Sequence, residues 1–233
     1  MKGEFRNLRW ESRRNRLLVL LIVMALWEFV VILKIIDPFW ISKPSSVVIW
    51  LFYQVFSGSF WKHLSVTLQE TLIGYFLGSL LGILSGFLLS KWKILHDALD
   101  PYIMALYCLP RVALAPLFIM WFGIGILSKV VLIISLVYFV LFFNTYLGVQ
   151  NVDRDLINAI KTIGASNTYL IRRVILPSCT PWIFGGLRIG IAMALIGAVV
   201  GEMLAAQFGL GFLLSRSAGA FDTTGTFGVL VIL

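Results

Sequence analysis

Four charged side chains stand inside long apolar segments, and they are the residues whose types could do chemistry: Glu28, Arg111, Arg188 and Glu202. A charge in an apolar interior is costly unless it is paired or hydrated, so each needs a partner or a cavity. Arg111 stands between Pro110 and Pro116, and prolines free backbone carbonyls and loosen a helix. A cation beside a broken helix can contact an anion. The alternative for Arg111 is a structural ion pair with a carboxylate such as Glu202.

Enzyme chemistry has little support in the remaining polar residues. His63, Thr67, Glu70 and His96 are scattered, and we interpret each as an interfacial polar residue. Cys108 and Cys179 give neither a disulfide framework nor a metal-ligand cluster. A phosphate-binding loop of the type G-x-x-x-x-G-K-[ST] does not occur, so the chain is not expected to hydrolyse nucleotides. We therefore predict no catalytic residue, no metal and no cofactor.

The composition indicates a membrane protein. Of the 233 residues, 60% are apolar and only 13% are charged, whereas a soluble domain is about half apolar and about a quarter charged. This excludes an ordinary soluble globule, a disordered chain and a nucleic-acid-binding module, despite the net charge of +8. We expect an all-α, polytopic bundle of membrane helices.

Apolar runs locate five spans, and the start of a sixth helix follows them. A helix rises about 1.5 Å per residue and must cross about 30 Å of hydrocarbon. The run 223–233 is too short for this, so we expect the sixth helix to be truncated at Leu233. The segment 44–60 is also short, and it predicts an interfacial helix that Ser45 or Ser46 caps and Gly58 ends. The five predicted spans are 17–36, 71–90, 98–122, 130–152 and 181–206.

Basic residues at the ends of the spans predict the orientation. With the N-terminus in the cytoplasm, twelve basic residues lie inside and five outside, as the positive-inside rule requires. We therefore divide the chain into a basic cytoplasmic tail, 1–16, and a transmembrane domain, 17–233. The segment 152–177 then faces the cytoplasm.

Two spans carry small residues at helical spacing. Each four-residue step turns a helix by about 400°, so residues four apart form one stripe without side chains. Such stripes let helix backbones approach closely in a membrane, and they could also let two helices slide. The fifth span repeats the pattern from Gly186 to Ala205. In the second span the stripe comprises Gly74, Gly78, Gly82 and Gly86.

The segment 152–177 predicts a short helix, a bend and a second helix. Asp153 can cap the first helix, and Gly164 has the position of a left-handed stop. Ser166 can cap the second helix, 167–176, which Pro177 ends. The first helix has an apolar side, and a partner protein or lipid headgroups must cover it. That side comprises Leu156, Ile157, Ala159, Ile160 and Ile163.

This segment resembles the cytoplasmic signature loop of ABC-importer permeases, the so-called EAA loop. The family pattern runs Glu-Ala-Ala, three residues, Gly, and about a dozen residues to Leu-Pro. Here the named positions hold Asn158, Ala159 and Ile160, and Gly164 and Leu176-Pro177 keep the spacing. Two positions, Asn158 and Ile160, depart from the family pattern. The resemblance covers nearly the whole chain. The chain is also similar to the nitrate, sulfonate and taurine branch of the family, in 109–125, in Trp27-Glu28 and in 201–211.

The resemblance implies a MetI-like type I importer fold in the inner membrane, and partners for this subunit. These are two cytosolic ATP-binding subunits, a second permease subunit that makes either a homodimer or a heterodimer, an extracytoplasmic solute-binding protein, and membrane lipid. Nucleic acid is not among them. Arg111 and Glu202 become candidates for the translocation path. The implied docking residues are Leu156, Asn158, Ala159, Ile160, Ile163, Gly164, Ala165, Leu176 and Pro177.

The resemblance points to a small anion as cargo, such as a sulfonate, nitrate or a related organic acid. Relatives in the family also handle pyrimidine vitamin precursors and other heterocycles, so this alternative stays open. Aromatic residues near the presumed path, such as Tyr102, Tyr107 and Phe118, could stack on a ring. An ion-coupled secondary transporter is a further alternative. It usually needs two structural repeats and a coupling-ion site, and the sequence indicates neither.

Overall fold

The computed structural model describes the backbone of residues 2–233 and the side chains of 14–92, 94–153 and 155–233. The basic side chains predicted to form the cytoplasmic tail, from Lys2 to Arg13, lie outside the described side chains. In the described part of the chain all regular structure is helical. The α-helices are α1 (Lys2–Ile32), α2 (Pro44–Phe56), α3 (Ser59–Lys91), α4 (Lys93–Cys108), α5 (Ala115–Phe122), α6 (Ile126–Gln150), α7 (Arg154–Thr162), α8 (Asn167–Leu170), α9 (Leu176–Ala205), α10 (Leu210–Gly219) and α11 (Thr223–Ile232).

Four helices are long and apolar enough to cross a membrane: Arg14–Ile32, Ser59–Lys91, Ile126–Gln150 and Asn167–Ala205. A fifth span is possible if the bent pair Ile94–Cys108 and Arg111–Phe122 is counted as one. These helices fall where the sequence predicted its five spans. The predicted sixth span corresponds to α11, which has ten residues and does not reach spanning length.

The helix boundaries differ from the predicted ones in two informative places. The first span ends at Ile32, four residues early, because the chain turns there and Lys34 takes a left-handed φ of 54°. Pro177 does not end a helix, contrary to our prediction. A π turn, Ile171–Ile175, joins α8 to α9 and makes one helix of 39 residues. Pro177 lies in the first turn of α9, where its missing N–H costs little.

The chain divides into two compact units, the first formed by residues up to Lys62 together with Leu213–Leu233. In this unit the carboxylate of Glu28 in α1 caps the start of α2. It accepts hydrogen bonds from the backbone N–H of Ser45 at 3.0 Å and from the Ser45 hydroxyl at 2.7 Å. The N-cap residue itself is Lys43, and Pro44 stands in the first turn. The predicted serine cap is therefore wrong, because the neighbouring helix supplies the capping group.

The second unit, His63–Phe212, is built around α6. Half of the most apolar window of α6 is buried, so α6 is the central helix of this unit. The glycine stripe of α3 faces one side of α6. A Cβ atom added at Gly78 would lie 2.9 Å from Val137 Cβ, and one added at Gly86 would lie 2.9 Å from Thr145 Cβ. The backbones of α3 and α6 are therefore as close as glycine permits.

An adjacent side of α6 receives a second stripe of small residues, from α9, and Val137 and Leu141 contact both stripes. An added Cβ at Gly186 would lie 3.0 Å from Asn144 Cβ, and one at Gly201 would lie 2.8 Å from Lys129 Cγ. Ala194 and Ala198 are fully buried beside Ile133 and Val137. Tyr75 of α3 also donates to the Leu187 carbonyl of α9 at 3.1 Å. The helices α3, α6 and α9 therefore pack against one another in a group of three, and this group positions the candidate site.

Candidate docking segment and translocation path

The segment 152–177 has the predicted short helix and bend, and its second helix is the start of the 39-residue helix. Asp153 caps α7 and accepts a hydrogen bond from the N–H of Asp155 at 2.8 Å. Gly164 has φ of +78°, which a glycine adopts without a Cβ clash. Ser166 caps α8 and accepts from the N–H of Tyr169 at 3.3 Å. The three signals read from the sequence thus lie where they were predicted.

The apolar side of α7 is divided between the chain's own interior and its surface. Ile157 and Ile160 pack against a cluster that contains Val152, Leu170 and Val174. In contrast, Leu156 is 45% exposed and Ile163 is 80% exposed. Ile160, which the resemblance named as a docking residue, therefore packs against the chain's own interior and does not belong to the exposed face of α7. The exposed face comprises Leu156, Asn158, Ala159 and Ile163.

The remaining residues of the implied docking set lie at the bend or beyond it. Gly164 is exposed and Ala165 is half-buried. Leu176 is 40% exposed and Pro177 is exposed as well, but both belong to the long helix and not to the bend.

Arg111 lies at the break of the bent helix pair, where the two halves meet at 77°. Its Nη2 donates a hydrogen bond to the Tyr107 carbonyl at 2.7 Å, an acceptor freed by the end of α4. Its guanidinium also lies over two rings, 5.0 Å from the Tyr107 centroid and 4.3 Å from the Phe139 centroid. Cation–π contacts of this kind hold a guanidinium in place. Its Nε is buried and has no hydrogen-bond partner among the residues that the structure describes.

The aromatic surroundings of Arg111 come mainly from α6. The ring of Tyr107 meets that of Phe143 edge-on at 4.8 Å. Phe139 and Phe143, which the sequence analysis did not name, follow each other by one turn of α6. Of the aromatic residues proposed from the sequence, Tyr107 is the one that contacts Arg111.

Glu202 lies in a different place, and the described side chains form no ion pair between it and Arg111. Its carboxylate accepts hydrogen bonds from the Thr67 hydroxyl at 2.7 Å and from the N–H of Gly211 at 2.6 Å. The Thr67 oxygen in turn accepts from the N–H of Leu210 at 2.8 Å. Glu202, 1% exposed, thus fastens the loop after α9 to α3.

Two more buried charges complete this cluster. Glu70 is 1% exposed and Lys129 is 5% exposed, and Lys129 Nζ lies 3.7 Å from Glu70 Oε1. His63 Nδ1 accepts a hydrogen bond from the N–H of Gly209 at 3.0 Å. Our interpretation of His63, Thr67 and Glu70 as scattered interfacial residues is therefore wrong. Their spacing of four and then three residues puts them on one helix face, and this was the signal available in the sequence.

A cavity of about 290 Å³ adjoins the cluster. Glu70 and Lys129 line it together with the loop that follows α9, including Gln207 and Phe208. The described side chains include no group of three or more metal-ligating residues close enough to hold a metal ion.

A helical membrane bundle with a capped helix–bend–helix segment that exposes apolar side chains is typical of a transporter subunit with a separate motor. Comparison with known proteins agrees. Residues 78–233 match the family described as binding-protein-dependent transport system inner membrane component, and the chain belongs to this family.

Curated relatives and a solved structure support this assignment over most of the chain. The formylaminopyrimidine transport permease protein ThiX of Halalkalibacterium halodurans is 35% identical over 93% of this chain and 86% of its own length. The taurine transport system permease protein TauC of Escherichia coli is 32% identical over 94% and 83%. The inward-facing methionine ABC transporter MetNI shares the fold, with a TM-score of 0.66, 19% identity, and coverage of 76% of this chain and 88% of its own.

The chain is therefore a permease subunit of an ABC importer and has the MetI-like type I importer fold. The predicted resemblance to the sulfonate and taurine branch is confirmed by these relatives. Because its homologues are translocation components, it is not an enzyme, and ATP hydrolysis takes place in partner subunits. It is a multi-pass protein of an inner-membrane family that works with ATPase and binding-protein partners.

Proposed function

We propose that the chain conducts a small organic anion across the inner membrane and that residues 152–177 dock one cytosolic ATP-binding subunit. The functional permease holds two such subunits, a second permease chain that is a copy of this one, and an extracytoplasmic solute-binding protein. The N-terminus lies in the cytoplasm, with 1–16 as the tail and 17–233 as the transmembrane domain.

The observation that carries the docking proposal is the exposed apolar face of α7. Leu156 and Ile163 are exposed while Ile157 and Ile160 anchor the same helix to the chain's own core. An apolar surface on a rigid, capped helix needs a partner. It is also small enough to fill one groove of another protein.

Replacing Ile163 with Asp tests the docking role. The change puts a charge into the proposed interface and leaves the permease core intact, because Ile163 is 80% exposed. We expect co-purification of the cognate ATP-binding subunit to fall at least about tenfold, which corresponds to a loss of about 1.4 kcal/mol of binding free energy. Ile94→Asp is the matched control, because Ile94 is 89% exposed and lies outside the segment. Normal assembly of Ile163→Asp, with full uptake, contradicts the proposal.

Arg111 supports an anionic cargo. It is held over Tyr107 and Phe139, and its buried Nε keeps a donor unused. We expect Arg111→Gln to reduce uptake in proteoliposomes that contain the whole transporter by about tenfold or more, because a hydrogen bond to a charged group contributes about 1.5–3 kcal/mol. Arg111→Lys keeps the charge and should lose less. Unchanged uptake and unchanged cargo-stimulated ATP hydrolysis in Arg111→Gln would refute the assignment.

A heterocyclic vitamin precursor is the second candidate cargo. The cluster of Tyr107, Phe139 and Phe143 offers ring faces for stacking, and ThiX is described as a formylaminopyrimidine permease. The two candidates separate in one assay, in which the cognate binding protein is loaded with taurine, an alkyl sulfonate or an aminopyrimidine. The solute that stimulates ATP hydrolysis by the reconstituted transporter identifies the cargo class.

A further inference from the structure

The buried cluster of Glu70, Lys129 and Glu202 has an imbalance of charge. Two carboxyls and one ammonium meet where α3, α6 and α9 pack together, and all three side chains are at most 5% exposed. If both carboxyls are ionised, one negative charge has no counter-ion among these three buried side chains, which is costly. A bound proton removes that cost without any rearrangement.

The hydrogen bonds indicate which carboxyl carries the proton. Both oxygens of Glu202 accept, one from Thr67 and the other from Gly211, so Glu202 acts as a carboxylate. Glu70 Oε2 is buried and has no acceptor or donor accounted for among the described residues. Thr67, which precedes Glu70 by three residues on the same face of α3, donates to Glu202, so Glu70 lies on the face of α3 that Glu202 contacts. A proton on Glu70 gives its unpartnered oxygen a hydrogen bond to donate.

We propose that Glu70 and Glu202 hold one proton between them, so that this cluster is a resident proton-binding site, neutral in combination with Lys129. Proton binding converts the Glu70 carboxylate to a carboxylic acid that donates to Glu202, and water in the adjoining cavity is the proton source. The site joins α3 to α9 and to the loop that Gly209 and Gly211 form. Loss of the proton leaves two like charges between α3 and α9 and weakens that contact.

The groups that face the site come from every element packed against it. Thr67 and His63 lie on the same face of α3, Lys129 comes from α6, and Glu202 comes from α9. His63 Nδ1 lies 3.0 Å from the backbone nitrogen and 3.2 Å from the carbonyl oxygen of Gly209, so this ring nitrogen is engaged by the loop. Lys129 also donates to the Gly125 carbonyl at 3.1 Å, which keeps its ammonium in place.

Infrared spectroscopy of the purified full-length chain in lipid at neutral pH tests the proposal. We expect a C=O band of a buried protonated carboxylic acid that Glu70→Gln removes and alkaline pH abolishes. Glu28→Gln is the matched control and should leave the band, since Glu28 accepts from Ser45 as a carboxylate. Lys129→Met should also keep it, because removing the cation favours protonation. Absence of a band that responds to Glu70→Gln overturns the proposal.

Thermal unfolding supplies a second, independent measurement. Glutamine imitates a protonated glutamate and can donate to Glu202, so Glu70→Gln should melt within about 2 °C of the unmodified chain. Glu202→Gln brings an amide N–H against the Thr67 or Gly211 donors and should lower the melting temperature by about 5 °C or more. Equal losses for the two variants would show that Glu70 is ionised and paired with Lys129. If Glu202→Gln does not fold, the infrared comparison of Glu70→Gln still decides.

Discussion

Replacing Gly82 with Ala measures how much of the bundle's stability depends on the close contact of α3 with α6. An added Cβ would lie 2.5 Å from the Tyr138 carbonyl oxygen, 2.9 Å from Leu141 Cβ and 3.0 Å from the Phe142 nitrogen. Two of these atoms belong to the backbone of α6 and cannot rotate away. To reach an ordinary contact of about 3.4 Å, the helices must separate by about 0.9 Å.

The expected magnitude is the difference between two opposing effects. Overpacking a well-filled interior costs about 1–3 kcal/mol, and separation also removes dispersion contacts along the stripe. Alanine gains up to about 1 kcal/mol over glycine in a helix interior. We therefore expect a net destabilisation of about 1–2 kcal/mol, or a melting temperature lower by about 2–8 °C for a chain of this length.

Gly185→Ala is the matched control on α9. Its added Cβ would find a single neighbour, Asn144 Oδ1 at 4.0 Å, so only the gain in helix propensity remains. The assay is thermal unfolding of the detergent-solubilised full chain, followed by tryptophan fluorescence, with both variants side by side. If Gly82→Ala melts at or above the temperature of Gly185→Ala, α3 and α6 do not pack as closely as described and the reasoning fails.

Three further substitutions test a helix cap and two glycines with positive φ. Glu28→Ala removes the group that caps α2 and should lower the melting temperature more than Ser45→Ala, which leaves the backbone hydrogen bond in place; equal effects would contradict this. Gly209→Ala combines a φ of +120° with a Cβ that meets the Glu202 carboxyl, so it should destabilise the chain, whereas Gly219→Ala meets nothing within 4 Å and serves as the control. Gly164→Ala should cost about 1 kcal/mol through its left-handed φ, and Gly164→Asn less, as measured by thermal unfolding; an equal cost would show that the bend does not need this φ.

Features coded by local signals could be predicted from the sequence. The lengths of the apolar runs located the five predicted spans, because a helix needs a certain number of residues to cross a membrane, whatever those residues contact. Asp153, Gly164 and Ser166 predicted the helix boundaries within the segment 152–177, because capping depends on residues a few positions apart. The stripe from Gly74 to Gly86 indicated close packing for the same reason, although it did not name α6 as the helix that approaches.

Features that depend on distant partners could not be predicted. Ser45 has the right type and position for an N-cap, but Glu28 of another helix takes that role, and no local rule contains this information. Pro177 predicted a helix end, and a π turn just before it lets the helix continue. Glu70 and Lys129 are 59 residues apart in sequence, so their pairing depends on the packing of α3 against α6.

The side of α7 that packs against the chain's own interior determines which helices the proposed ATP-binding partner could move. Ile157 and Ile160 pack on Val152, at the end of α6, and on Leu170 and Val174, at the start of the 39-residue helix. A force on α7 therefore acts on both helices at once and is not absorbed by a loose hinge. At about 1.5 Å per residue that long helix extends about 58 Å, and Glu202 lies three residues before its other end. One continuous helix thus joins the docking segment to the buried charges around Glu202. This continuity is what the proposed docking role needs, because it links a motor bound at α7 to the contact of α3 with α9.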